Sequence, residues 1–481
     1  MKVPALNVGP VSWLCWAVVF VLLTVAFNGQ RPLAEPDEGR YAEASREMLI
    51  DGDWLIPRLQ GQPHLTKPPV TYWLTALGMK LWGVNETGAR FFLSLAFLGT
   101  ILAVMDLARV WGWSRWEALA AAFVFATALL PYLAGHILTT DMFLCSFTTL
   151  GTLAAWRVWS GEGSEVAWRW IFWLTFALAF LTKGPPGWLM LLVIAVFRLL
   201  RRPVRRFGRV WSPWAFGVFL GVAGSWFVAL VLRRGELVHY FLVDEFYERI
   251  FTAEHQREAP FWIYVPTIAL GVAPWIFLWP DLVRRTWRNL AGRRLAELPD
   301  AQVFSLLWVA LPLLTFTLAR SRMYLYVLPL MVPIAIWGGR SLVRWWPGWR
   351  AMGPGGRAVV ILLGGVWSVF LVGVKIYPDH APKARSNRNL ARQIERVGSD
   401  RIGTLYSTED PLHSISFYTG LQVREKDIDE DEVIAFLRAH RRQGKRISIL
   451  LETEDKDALD GRYRVLAQDA EWTVIALPEP P

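Results

Sequence analysis

Cysteine is nearly missing from this chain. Only Cys15 and Cys145 occur in 481 residues, both inside apolar runs. That argues against a disulfide framework and against a thiolate metal site. Charge is scarce as well: 19% of residues are charged, against about 25% in an average soluble domain. Nucleotide-handling signatures are also wanting. The sequence has no phosphate-cradling P-loop, no Gly-x-Gly-x-x-Gly unit and no Ser-His-Asp order, which disfavours cytosolic nucleotide donors and predicts no nucleotide cofactor. The net charge of +10 raises the question of nucleic acid. Its distribution predicts no nucleic-acid partner, because the arginines gather in short gaps between apolar runs, where topology is encoded.

Apolar and aromatic residues fill the space so left. The chain is 54% hydrophobic with 28 Trp, and its mean hydropathy is positive. Runs of about twenty apolar residues, the length that crosses a bilayer as helix, recur along most of it. The sequence therefore predicts a polytopic α-helical membrane protein in contact with membrane lipids. About eleven spans are expected, near 11–28, 89–110, 116–134, 139–158, 167–183, 186–200, 212–232, 261–281, 301–319, 323–343 and 357–376. The 66–83 stretch could dip into the bilayer and 167–200 could form one broken re-entrant unit, so the count ranges from eleven to thirteen. No small-residue cleavage site follows the first run, which reads as a retained helix.

Alternate gaps are strongly basic. They hold Arg109 and Arg115; Arg157 and Arg169; Arg198 to Arg209; Arg284 to Arg294; and Arg340 to Arg357. By the positive-inside rule these face the cytoplasm. The other gaps then face out, and they contain every unusual polar cluster. These are Glu35 to Tyr41, Thr139 to Asp141, Lys183-Gly184-Pro185-Pro186-Gly187, Asp244 to Glu258, and Ala319 to Arg322. Five polar patches on one membrane face are expected to wall one site. The expected division is a membrane region over 1–377, whose first outer loop is 29–88, followed by a small outer α/β domain over 378–481. In that domain apolar stretches at 401–406, 446–451 and 472–477 flank a helix over Asp429 to Arg442.

The first loop concentrates chemistry. Asp37 and Glu38 open a helix expected over Pro36 to Ile50, with Arg40 and Tyr41 one turn on. Asp37 and Arg40 could be a helix-start ion pair, or a carboxylate serving an acceptor hydroxyl beside a phosphate-holding cation. Glu43 and Glu47 read as solvated surface. Lys67 precedes Pro68-Pro69 and is held in a turn; a snorkelling interfacial lysine is its plainer reading. Lys183 repeats the device between two apolar spans, where a cation is costly and usually functional. Arg40, Lys67 and Lys183 would cradle a phosphate, with Arg320 and Arg322 contributing. Tyr41, Asp141, Tyr324 and Tyr326 complete the expected pocket. His255 stands beside acids, but one His and one Glu fall short of a zinc ligand set, and a structural or phosphate-contacting role is its plainer reading. His64 and His239 carry no diagnostic pattern.

Several motifs in order resemble a known family. Glu35-Pro36-Asp37-Glu38-Gly39-Arg40-Tyr41, Gly52-Asp53-Trp54, Lys67-Pro68-Pro69-Val70-Thr71-Tyr72-Trp73, Thr182-Lys183-Gly184 and Ser321-Arg322-Met323-Tyr324 resemble the bacterial lipid A aminoarabinose transferases. These are relatives of the protein O-mannosyltransferases, and the resemblance covers roughly residues 10–345. It implies a GT-C glycosyltransferase fold, and an inverting transfer of 4-amino-4-deoxy-L-arabinose or a related sugar. The donor would be a polyprenyl (undecaprenyl) phosphate carrier and the acceptor lipid A, on the periplasmic face of a bacterial inner membrane. Asp37 would be the catalytic carboxylate, with Glu38 its nearest competitor; Arg40, Lys67, Lys183 and Arg322 would meet the carrier phosphate. His255 would sit near a family histidine associated with a divalent metal, but Thr66 stands where the family has an acid before Lys-Pro-Pro, and Arg322 replaces a lysine. Two other readings use different acceptors or chemistry. One keeps the donor class with protein Ser/Thr or another glycan as acceptor. The other is a lipid-linked sugar transporter or flippase, which would place charges deep in several spans; Asp106 and Lys375 lie near span ends.

Overall fold

A computed structural model describes residues 10–201, 209–233, 259–292, 294–319, 321–376, 387–408 and 412–478, apart from 427, 430–431 and 460–462. It is mostly helical. In chain order come α1 (Pro10–Val25), α2 (Asp37–Asp51), a short hairpin of β1 (Arg58–Leu59) and β2 (Gln62–Pro63), α3 (Val70–Trp82), α4 (Glu86–Val110), α5 (Arg115–Thr127), α6 (Leu129–Ala134), α7 (Thr140–Ser160), α8 (Glu165–Lys183), α9 (Leu189–Leu200) and α10 (Pro213–Arg233). There follow α11 (Tyr264–Gly271), α12 (Trp279–Gly292), α13 (Asp300–Leu318), α14 (Met331–Ala351) and α15 (Pro354–Ile376).

Six helices among the described residues are long and apolar enough to cross a bilayer: Glu86–Val110, Glu165–Lys183, Pro213–Arg233, Asp300–Leu318, Tyr324–Ala351 and Pro354–Ile376. Phe261–Gly271 and Trp275–Gly292 form a seventh only as a pair bent by 98°. The chain is a multi-pass membrane protein. Where the structure differs from eleven uniform spans, local chemistry explains it. The 116–134 run breaks between Thr127 and Leu129 into α5 and α6. Helix α7 is long but carries buried Ser146, Thr148, Thr149 and Thr152, which lower its hydropathy. Two of its threonines are satisfied along the helix: the Thr148 hydroxyl donates to the Leu144 carbonyl and the Thr152 hydroxyl to the Thr148 carbonyl, each at 2.8 Å.

Caps and breakers set the helix ends. Ser114 and Glu117 form a capping box at the start of α5, and the Ser164 hydroxyl accepts from the Ala167 N–H at the start of α8. Helix α8 stops at Gly184, whose φ of 72° a glycine adopts without steric penalty. Pro185 and Pro186 then start a 3-10 turn. Lys183 is thereby fixed at the last residue of a buried helix. One contiguous core, including Phe97, Phe125, Tyr132, Phe143, Phe176, Phe304 and Trp308, joins the helices. Away from the polar loops, arginines pair with acids: Arg157 with Asp106, and Arg340 with Glu117 at 3.2 Å. Buried Lys375 donates to the carbonyls of Leu23, in α1, and Ala26, just past its end, at 2.6 and 2.8 Å.

The carboxyl-terminal region holds a five-stranded sheet in the order β4-β3-β5-β7-β6. Its strands are β3 (Thr404–Ser407), β4 (Val423–Glu425), β5 (Ile447–Glu452), β6 (Arg464–Gln468) and β7 (Trp472–Ala476). Strands β3, β4 and β5 run parallel, and β7 runs antiparallel to both β5 and β6. Helix α16 (Arg388–Val397) with α17 (His413–Thr419) packs one core, and α18 (Val433–Arg442) packs another. The stretch around Tyr377-Pro378 lies outside the described residues, as do Asp244 to Glu258 and Arg320.

Candidate active site

Helix α2 opens with two adjacent carboxylates in opposite surroundings. Glu38 is completely buried. Its oxygens meet Arg90 at 2.9 and 3.0 Å and Arg31 at 2.8 and 2.9 Å. They also accept the Ala34 N–H at 3.0 Å and the Leu138 N–H at 2.8 Å. Burial alone would raise this carboxyl's pKa, but the two guanidiniums overcome it and hold the group far below the carboxylate range. Arg90 donates further to the carbonyls of Asn28, Arg31 and Pro32, and Arg31 to that of His136. The cluster ties the first loop, the start of α4 and the turn before α7 together. Glu38, the nearest competitor of Asp37, thus has both oxygens engaged within the protein and no exposed surface.

Asp37 faces the other way, with 39% of its side chain exposed, and it pairs with Arg40 one turn on. The ion pair inferred from spacing is present, and it sits on the open side of α2. Tyr41 is buried, its ring 5.6 Å from Tyr72 and beneath the Arg40 guanidinium at 5.7 Å. Glu43 and Glu47 are not the solvated surface their positions suggest. Glu43 is buried against Arg46 at 2.6 Å. Glu47 is buried too, and its carboxylate accepts the N–H groups of Gln60 and Gly61 at 2.6 and 2.9 Å. It thus fastens the hairpin to α2. Three of the five acids of α2, Glu38, Glu43 and Glu47, are thus buried, because other chain segments cover that part of the helix.

Lys67 stands beside Thr66, donating to its carbonyl at 2.9 Å, and the Thr66 hydroxyl lies 3.0 Å from His64 Nε2. Burial, then the nearby charges of Arg40, His413 and Lys67, lower the His64 pKa to about 4. Arg40 and Lys67 thus both bear electrostatically on the His64 ring. A second pair lies at the end of α8: Lys183 Nζ bonds Asp141 Oδ1, and lies 4.7 Å from the Tyr326 ring centroid. Both side chains are about nine-tenths buried. They line a cleft whose remaining walls are largely apolar, among them Leu144, Pro186, Leu189, Met190 and Phe316.

Two expected members stand apart. Arg322 is engaged with backbone, donating to Ala259 at 2.7 Å and Thr317 at 3.1 Å, so it ties the segment at Ala259 to the last turn of α13. Tyr324 is largely exposed, whereas Tyr326 joins the cleft. His255 lies outside the described residues. Among the described residues no three His, Cys, Asp or Glu side chains gather as a ligand set, and Thr66 is engaged with His64.

Sequence reasoning missed Arg90, Arg31 and Glu35. An arginine within the apolar α4 is itself a signal, since a cation in a span needs a buried partner. No comparable signal marks the carboxyl-terminal residues that meet α2, because their partners are hundreds of positions away.

The fold is that of the GT-C membrane glycosyltransferases. A crystal structure of ArnT from Cupriavidus metallidurans bound to undecaprenyl phosphate superimposes with a TM-score of 0.76 at 22% identity, covering 98% of this chain and all of that one. The oligosaccharyltransferase of Archaeoglobus fulgidus follows at a TM-score of 0.58 and 13% identity, over 92% of this chain and 69% of that chain. In sequence, residues 66–230 match the family described as dolichyl-phosphate-mannose-protein mannosyltransferase. The chain resembles the undecaprenyl phosphate-α-4-amino-4-deoxy-L-arabinose arabinosyl transferases. It is 33% identical to one from Sodalis glossinidius over 336 residues, which is 67% of this chain and 58% of that protein. It is 31% identical to one from Pseudomonas aeruginosa over 341 residues, 69% of this chain and 60% of that protein. The chain thus spans under two thirds of the length of these relatives.

Proposed function

We propose that this protein transfers a sugar from an undecaprenyl-phosphate carrier to an acceptor at the periplasmic face of a bacterial inner membrane. The sugar is 4-amino-4-deoxy-L-arabinose or a close relative, and the acceptor is lipid A. One observation carries the reading: a buried lysine paired with a carboxylate lines a largely apolar cleft within the helices, in a chain whose first loop exposes a second pair, Asp37 with Arg40. A lipid carrier needs both a dry groove for its tail and cations for its phosphate. The basic gaps that face the cytoplasm by the positive-inside rule place these loops outside.

In the reaction an acceptor oxygen attacks the anomeric carbon, that carbon's bond to the phosphate oxygen breaks, and the carrier phosphate leaves with the electron pair. Asp37 takes the acceptor proton. Arg40, Lys67 and Lys183 neutralise the phosphate, and such stabilisation of developing charge is usually the largest contribution to rate. The match to mannosyltransferases that act on protein supports one second reading, the same donor class with a protein hydroxyl as acceptor.

The test uses purified protein in detergent with undecaprenyl-phosphate aminoarabinose and either lipid A or a Ser/Thr-rich peptide. Sugar appearing on lipid A supports the proposal. Sugar on the peptide alone selects the second reading, and no turnover of any polyprenyl-phosphate sugar overturns both.

A further inference from the structure

Helix α17 of the carboxyl-terminal region lies directly on α2, and the contact converges on Glu35, two residues before Asp37. Glu35 Oε1 accepts the backbone N–H of Ser414 at 2.5 Å. Its Oε2 is buried without a hydrogen-bond partner. The fit is close on the α2 side. A Cβ on Gly39 would come within 2.7 and 2.8 Å of the two Glu35 oxygens and 2.8 Å of the Ser414 nitrogen, so only glycine lets α2 and α17 approach this closely. Around this point the carboxyl-terminal region holds the rest of the loop. The Tyr418 hydroxyl accepts the Leu33 N–H at 2.9 Å and donates to Glu86 at 3.1 Å, Arg388 pairs with Glu86 at 2.8 Å, and His413 lies 3.3 Å from the Gln60 amide.

We infer that Glu35 is a positioning residue: through the Glu35–Ser414 bond the carboxyl-terminal domain sets the orientation of the first turn of α2, and with it Asp37 and Arg40. The inference rests on the reading of Asp37 and Arg40 given above. The physical case is economy of contacts. Glu38 fixes the buried side of α2 from below, but its partners all lie in the membrane region. On the side that carries Asp37, the contact at the very start of α2 is made by α17, through Glu35 and the Ser414 N–H. Burying a carboxylate with one oxygen unsatisfied costs stability, and the contact is kept despite it.

The charge of this carboxyl bears on the contact. Burial raises the Glu35 pKa to about 7 against the opposing Ser414 bonds. The charged groups facing it are Arg40, which favours the anion, and Glu38, which disfavours it. Near neutral pH Glu35 thus passes between forms, and both accept the Ser414 N–H through Oε1.

The test compares Glu35→Ala, Glu35→Gln and Ser414→Pro in the full chain with Asp37→Asn. The Gln amide oxygen can still accept the N–H. Proline at 414 removes that N–H within the first turn of α17, where proline is tolerated. Glu35→Ala and Ser414→Pro are expected to lower kcat at least tenfold with donor KM within about twofold of the parent. Glu35→Gln is expected to restore kcat to within about threefold and to remove a limb of the pH profile near 7. Hydrogen exchange at the amides of residues 37–41 reads the same contact without turnover, and should quicken in Glu35→Ala but not in Glu35→Gln. Parent-like kcat and exchange in Glu35→Ala would overturn the inference, as would a raised donor KM at unchanged kcat. If Asp37→Asn keeps full activity the reading of the site fails instead, and the exchange data still decide whether α17 orders α2.

Discussion

Asp37 and Glu38 are neighbours in sequence and strangers in environment. Glu38 points into the protein, gathers two arginines and two backbone N–H groups, and is dry. Asp37 points outward, has one arginine, and stays partly in solvent. The same functional group is mortar on one side of α2 and a candidate reagent on the other. Chemistry at a membrane face needs a carboxylate that can exchange a proton with a substrate, and such a group must not be saturated by protein partners. Holding that group still requires a second carboxylate that is saturated. The contrast implies a division of labour: changes below α2 should cost folding, and changes above it should cost turnover.

The largest effect is expected below. Glu38→Ala leaves Arg31 and Arg90 buried without their counter-charge, and breaking a buried pair this way costs about 3–5 kcal/mol. The variant should be recovered as aggregate or with a strongly lowered Tm, measured by thermal unfolding in detergent. Parent-like stability would dissolve the contrast.

A smaller effect is expected in the cleft. Loss of a charge-assisted contact costs roughly 1.5–3 kcal/mol, a tenfold to hundredfold change in affinity. Lys183→Met should weaken donor binding by that order. The double variant Lys183→Met with Asp141→Asn separates the two roles of the lysine. If Lys183 only balances Asp141, the double variant binds donor like the parent. The cradle reading expects binding to stay weak, measured by a direct titration with undecaprenyl phosphate.

The smallest effect is on pH dependence. Burial, then Arg40, His413 and Lys67, depress the His64 pKa to about 4, while the unfolded chain has about 6.5. The folded state thus favours the neutral ring. Its contribution to stability is fully present above 6.5 and is lost as pH falls from 6.5 to about 4. The parent should therefore lose more Tm than His64→Gln between pH 7 and 4.5. Equal losses would show that His64 does not carry the charge sensitivity of this side of α2.

How much of this was legible in the sequence differs between the two sides. Membrane class came from run length and charge placement, which are local properties. The grouping of Asp37, Arg40 and Tyr41 came from helical spacing, and the breaker at Gly184-Pro185-Pro186 marked Lys183. Those signals span a few residues each. The partnership of Lys183 with Asp141, 42 positions apart, was expected only as a shared face. The contrast between Asp37 and Glu38 was not legible from their adjacency, because a helix rotates successive side chains by about 100° and so sends them into different surroundings. Glu43 and Glu47 misled for a related reason: an acidic helix reads as wet unless the segments that roof it are known. Glu35 was invisible as a contact, because Ser414 lies 379 positions away.

The most direct test of the division is Asp37→Asn in purified protein, with turnover and unfolding measured on the same sample. Asn keeps the size of the side chain and can still accept from Arg40, but cannot take a proton. The expected result is a Tm like the parent's and a turnover reduced roughly 10²- to 10⁴-fold, the usual contribution of one general base. Full turnover at parent-like stability would contradict the account, and would move the search for the reacting carboxylate away from the first turn of α2.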